Sequence, residues 1–251
     1  MQSPPQAPPA RRVRIGMLTP SSNSVLEPVT QAMVAGLAEV SLHFQRFRVT
    51  AIALTERALG QFDESNLLRA AELLADARVD VIAWNGTSSG WLGFAADERL
   101  CARITAATGA PATSAMLALN ELLRLGRIGG IGFVTPYRDD VQARIVANYA
   151  ALGNPCRAER HLGIEENFTF SEVDEETIRA MARAVAAARP EAILAICTNL
   201  RAAPLAATLE AELGIPFYDS VAAALWKSLL LAGVDAARVT GWGSLFGAAA
   251  D

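Results

Sequence analysis

A chain of 251 residues, 52% of them apolar, has ample core material for one large α/β domain or two small ones, and its net charge of −4 argues against the clustered basic face of a nucleic-acid binder. Three cysteines without paired spacing (Cys101, Cys156, Cys197) and two distant histidines (His43, His161) argue against a disulfide framework and a metal centre. No stretch approaches the roughly 18–20 uninterrupted apolar residues of a membrane span. Residues 1–12, Pro/Gln-rich over Met1–Ala10, read as a disordered leader lacking the apolar run of a signal peptide, so the expected location is cytoplasmic, with no membrane partner.

Val13–Thr19 predicts a first strand ending in Pro20-Ser-Ser-Asn23, where Ser and Asn suit a helix N-terminus and Glu27 suits its first turn. Val40–Val49 alternates apolar and polar residues as a second strand, with Arg46 and Arg48 near its end. Glu64–Ala77 is an amphipathic helix with Leu67, Leu68, Ala71 and Leu74 on one face. Asp80–Trp84 is a buried strand leading into Asn85-Gly-Thr-Ser-Ser-Gly90. Helices over Phe94–Thr108 and Ser114–Leu125 follow, separated by Gly109-Ala-Pro111. In the stretch Glu191–Arg201, an apolar run enters Cys197 and then the polar pair Thr198-Asn199. That pattern fits a buried parallel strand whose carboxyl end opens into a crevice, the place where open α/β sheets bind ligands. Strands alternating with helices predict an α/β fold with parallel sheet covered on both faces.

At Arg127 the pattern begins again. Gly16-Met-Leu-Thr-Pro20 is echoed by Gly132-Phe-Val-Thr-Pro136, Arg78–Thr87 by Arg189–Thr198, and Thr108-Gly-Ala-Pro111 by Leu213-Gly-Ile-Pro216. Three ordered matches predict a structural duplication, residues 13–126 and 127–251, related by a pseudo-twofold axis with a cleft between the halves. A helix near the C-terminus is expected to pack back on the first half. The loops Pro20–Asn23, Asn85–Gly90, Pro136–Asp139 and Cys197–Asn199 would converge at that cleft. Within the repeat, Gly86 takes the position that Cys197 takes in the second half. A thiol at a strand end is either a nucleophile or a proton donor at carbon, or else an inert buried side chain.

The duplicated pattern, with Pro20-Ser-Ser-Asn23, Gly86-Thr-Ser88, Thr135-Pro-Tyr137 with Asp139-Asp140, and Cys197-Thr-Asn199, resembles the aspartate/glutamate racemase superfamily. Within it the chain is most similar to the branch of arylmalonate decarboxylase and maleate cis-trans isomerase. The resemblance covers nearly everything after residue 12. It implies chemistry at the carbon beside a carboxylate, without metal or coenzyme, on a small dicarboxylate. Racemases and maleate isomerases of this type use two cysteines; the second corresponds to Cys197, and the first falls at Gly86 and is absent. Arylmalonate decarboxylase is similar to this chain in having Gly-Thr-Ser at that point and one catalytic cysteine. Asn23, Tyr137 and Asn167 instead match polar substrate positions of maleate isomerase, the first of which the decarboxylase lacks.

The hard species in such chemistry is an enediolate, which needs several hydrogen-bond donors aimed at one carboxylate. Pro20, Asn23, Gly86, Thr87, Ser88, Tyr137, Asn167 and Thr198 are the expected substrate-binding residues, and Cys197 the catalytic one. One thiol suffices for a decarboxylation, which needs a single proton after CO₂ leaves. The first reading is therefore a decarboxylase (lyase) with Cys197 as proton donor. The alternative is a maleate-isomerase-like or racemase-type isomerase, and a further one a non-catalytic small-acid binding protein. A homo-oligomer is compatible with all three. Phosphate binding is disfavoured, because neither a Walker pattern nor G-x-G-x-x-G follows the first strand.

Plain structural roles compete with these. Asn23, Thr87, Ser88 and Ser89 suit helix capping, Asp139 and Asp140 more so. Tyr137 suits packing at a turn, and Asn167 lies in the acidic loop Glu165-Glu-Asn167. Cys101 sits among Leu and Ala as core, Cys156 after a Gly-Asn-Pro turn reads as an inert thiol, and Trp84 and Trp91 flank the Gly-Thr-Ser loop as packing residues or as walls of an apolar pocket.

Overall fold

Strands that are apolar without alternation are covered on both faces. In the computed structural model, which describes residues 11–55 and 64–248, β1 (Val13–Pro20), β3 (Val81–Trp84), β5 (Ile131–Thr135) and β7 (Ala192–Ala195) are such strands, nearly every residue buried. They form the interior of two parallel four-stranded sheets. With β2 (Val40–Phe47), β4 (Ala112–Ser114), β6 (Cys156–His161) and β8 (Phe217–Asp219), the orders are β2-β1-β3-β4 and β6-β5-β7-β8. The two sheets repeat one topology, and helices between successive strands make the molecule α/β.

The repeat reaches into the packing. Gly16 of β1 is so close to its covering helix that an added Cβ would lie 3.1 Å from Leu74 and 3.2 Å from Val79. At Gly132 of β5 the equivalent contacts are Val185 at 2.3 Å and Pro190 at 3.2 Å, so glycine is required where the helix meets the strand. Arg78 and Arg189, at matching positions ahead of β3 and β7, both adopt positive φ (52° and 47°). Gly109 and Gly214 end their helices in the left-handed conformation that favours glycine.

Two short strands escape the sequence pattern. The helix expected over Ser114–Leu125 begins at Ala115, because Ala112–Ser114 pairs with Ile82–Trp84 as β4 and the Ser114 hydroxyl caps the helix by accepting from Leu117 N. β8 pairs with Ile193–Ala195 in the same way. Three residues are too few to show a period; they are strands because a neighbouring strand offers its open edge. The second strand stops at Phe47, before Val49. β6 is a polar, partly exposed edge strand whose composition carries no strand signal.

The helix Ser220–Leu231 is apolar on nearly every side and is correspondingly buried. It packs on helix Ala115–Leu125 and on β3, and Lys227 Nζ meets Glu121 at 2.7 Å. Among the described residues no helix is long and apolar enough to cross a membrane. The leader expected over residues 1–12 lies, through residue 10, outside the described residues.

Candidate functional site

β1, β3, β5 and β7 each end in a loop that reaches one cavity. Pro20 comes from the first, Gly86 and Thr87 from the second, Tyr137 from the third, and Cys197 and Thr198 from the fourth. The space between these residues is small, about 290 Å³ when the solvent at its mouth is included. Val49, Ile52, Trp84 and Trp91 give it apolar walls, and Asn167 completes it. Asn167 arrives on a strap between the halves: Ile52 N donates to Glu165 O (2.9 Å), Asn167 N donates to Thr50 O (3.0 Å), and Ala51 and Glu166 form an antiparallel bridge.

Polar contacts across the halves fix the loops. Thr198 Oγ1 donates to Asn85 O (2.9 Å) and accepts from Asn23 Nδ2 (3.1 Å), so this hydroxyl is committed to structure. Asn199 takes the Ser24 N–H on Oδ1 (2.9 Å) and donates to Asn167 O (2.6 Å). Asn167 Nδ2 donates to Ser22 Oγ (2.8 Å). Thr87 Oγ1 and the Tyr137 hydroxyl are 2.6 Å apart, and Trp91 meets the Tyr137 ring edge-on, centroids 5.3 Å apart.

Cys197 is buried at the centre. Burial pushes its thiol up to about 12, against the lowering effect of the Asn199 N–H, the Tyr137 hydroxyl and the Leu200 N–H; the nearby Asp219 carboxyl raises it further. At neutral pH it is a thiol. Cys197 N donates to Ser220 Oγ (3.2 Å). Asp219 caps helix Ser220–Leu231, its Oδ1 accepting from Val221 N (2.7 Å) and Ala222 N (3.1 Å). Its Oδ2 is buried without a partner among the described residues, and burial raises the carboxyl to about 7.

Of the expected site residues, Pro20, Gly86, Thr87, Tyr137, Asn167, Cys197 and Thr198 line the cavity. Asn23 and Ser88 are buried beside it without lining it. Asn23 Oδ1 accepts from Val25 N and Leu26 N, both at 2.9 Å, at the start of helix Leu26–Met33, whose cap position is Val25. Ser88 precedes the short helix Ser89–Leu92 and makes no side-chain cap bond. Asp139 and Asp140 occupy the first turn of helix Asp139–Ala151 rather than its cap. Cys101 is buried in its helix and Cys156 half-buried on β6. Val49, Ile52 and Asp219 were not foreseen. Val49 ends the alternating stretch but lies beyond Phe47, where the strand stops; Ile52 follows it outside that pattern, and Asp219 closes the three-residue strand β8.

Gly86 borders Trp84 closely: a Cβ on Gly86 would lie 1.8 Å from Trp84 Cζ2, so the indole fills the space a side chain there would need.

The chain is similar to known proteins over most of its length. A maleate isomerase of Geobacillus stearothermophilus is 25% identical over 231 residues, 88% of this chain and 92% of that one. An arylmalonate decarboxylase of Bordetella bronchiseptica is 31% identical over 169 residues, 66% and 70% of the two chains. The solved structure of a Nocardia farcinica maleate cis-trans isomerase, a cysteine-to-serine variant with a covalently bound succinylcysteine intermediate, superposes with a TM-score of 0.86 at 26% identity, covering 93% of this chain and 98% of that one. The model of the arylmalonate decarboxylase family matches residues 15–246, and the chain belongs to that family of enzymes.

Proposed function

We propose that the protein is a cofactor-independent decarboxylase of a small, malonate-like diacid. The observation that carries this reading is a single thiol in the cavity, Cys197, protonated by burial, with an indole where a second thiol would stand. One carboxylate leaves as CO₂, and its bonding electrons pass into the other as an enediolate. The Tyr137 hydroxyl, supported by Thr87 Oγ1 at 2.6 Å, and the backbone N–H groups of the Gly86 and Thr198 loops are the donors for that charge, each worth about 2.7–4 kcal/mol. The Cys197 thiol gives its proton to the α-carbon, and the thiolate regains one from water, so CO₂ and a monoacid are the products. Apolar walls around the leaving carboxylate favour its loss as a neutral molecule.

The test is NMR in D₂O with a panel of substituted malonates, using wild type and Cys197→Ala. The expected result is CO₂ release and one deuterium at the α-carbon, abolished in the variant. A folded wild type that releases no CO₂ from any malonate refutes the reading. A maleate-isomerase-like activity is the second reading, favoured by the 25% identity over most of the chain to a maleate isomerase and by Asn167 at the cavity. It predicts Cys197-dependent fumarate from maleate. The protonated state of Cys197 favours an acid over a nucleophile, and hence the lyase.

A further inference from the structure

Residues two apart in extended chain project to the same side. At the end of β7 that pair is Ala195 and Cys197; at the matching end of β3 it is Trp84 and Gly86. One half carries a small residue followed by a thiol, and the other a large ring followed by no side chain. The first-half position is filled from two residues earlier: a Cβ on Gly86 would fall 1.8, 2.2 and 2.4 Å from Trp84 Cζ2, Cη2 and Cε2. The ring is held in place. Phe47 packs on it with centroids 5.1 Å apart, the side chain is buried, and its N–H is a hydrogen-bonding partner of the buried Asp97 carboxyl.

We propose that Trp84 is the specificity-determining residue of the cavity. Its indole occupies the place from which a second proton-transfer group would act, so the reacting carbon is offered a proton by Cys197 alone. The inference rests on the α-carbon chemistry proposed above. A two-base route needs a thiolate on one side to take the α-hydrogen as a proton while the C–H electron pair enters the enediolate. A thiol on the other side then forms the new C–H bond and becomes the thiolate. Gly86→Cys by itself cannot supply the second group, because its Cβ and the Trp84 ring compete for one space. Trp84→Ala together with Gly86→Cys reproduces the Ala195-x-Cys197 arrangement in the first half.

The test compares wild type, Gly86→Cys, Trp84→Ala and the double variant by thermal unfolding. It also follows racemisation of single enantiomers of 2-substituted propionates by chiral chromatography, because inversion needs a group on each side whereas hydrogen exchange needs only one. Gly86→Cys is expected to lower Tm by about 5 °C or more next to Trp84, and by less than about 2 °C in the Trp84→Ala background. Racemisation is expected to rise about 100-fold in the double variant only. If Trp84→Ala folds poorly, Trp84→Val provides the same comparison. Equal Tm losses in both backgrounds, or racemisation by Gly86→Cys as fast as by the double variant, overturn the proposal. So does a double variant that does not racemise although the wild type releases CO₂. A wild type inert toward every diacid refutes the functional reading instead, and the unfolding comparison still decides whether ring and side chain compete.

Discussion

Asp219→Asn isolates the cost of a carboxylate sealed beneath the cavity. In the folded protein Asp219 is fully buried, one oxygen capping two backbone N–H groups and the other unpartnered, and its pKa is raised from 3.8 to about 7 chiefly by burial. Because the folded value lies above the unfolded one, the carboxyl's favourable contribution is complete below about pH 4 and is lost as the pH rises through about 7. The full span corresponds to about 4 kcal/mol at 1.36 kcal/mol per pH unit, of which about 3 kcal/mol falls above pH 5. Asparagine keeps the capping oxygen and does not ionise. Unfolding in urea at about pH 5 and pH 8.5 should show wild type losing about 2–3 kcal/mol more than Asp219→Asn over that interval. The shared contribution of Asp97, raised to about 6 by burial against the lowering effect of the neighbouring Ser114, Ser89 and Trp84 side chains, is present in both proteins and cancels. Equal pH slopes for the two would refute the reasoning.

Tyr137→Phe removes the hydroxyl 2.6 Å from Thr87 Oγ1 and leaves the ring packing against Trp91 intact. Its kcat/KM for decarboxylation should fall about 10²–10³-fold with stability reduced by only about 1–2 kcal/mol; wild-type kinetics would exclude the hydroxyl as an enediolate donor. Arg189→Gly relieves a left-handed backbone conformation (φ 47°), partly offset by glycine's greater freedom in the unfolded chain. A gain of about 0.5–1 kcal/mol is expected in urea unfolding, and destabilisation would show that the Arg189 side chain contributes more than its backbone costs.

Much of this architecture is legible in the chain. Runs such as Ile131–Thr135 and Ala192–Ala195 declare buried strands through uninterrupted apolar composition, and the repeat of Gly16 at Gly132 and of Arg78 at Arg189 preserves a backbone constraint that side-chain drift leaves untouched. Cys197 was visible because a thiol at the carboxyl end of a buried strand has few destinations other than a crevice. β4 and β8 were not legible, since three residues become a strand only beside an open sheet edge. For Asn23 the sequence left a helix N-terminus and a ligand equally open; its carbonyl serves the helix N-terminus, and its bond to Thr198, 175 residues away in the chain, was legible only in the fold. Tertiary structure also decided what an absent side chain means. The sequence shows glycine at 86 without a thiol; only the folded chain shows the Trp84 ring in its place, because side chains two residues apart compete for space according to how their rotamers pack against Phe47 and the neighbouring helices.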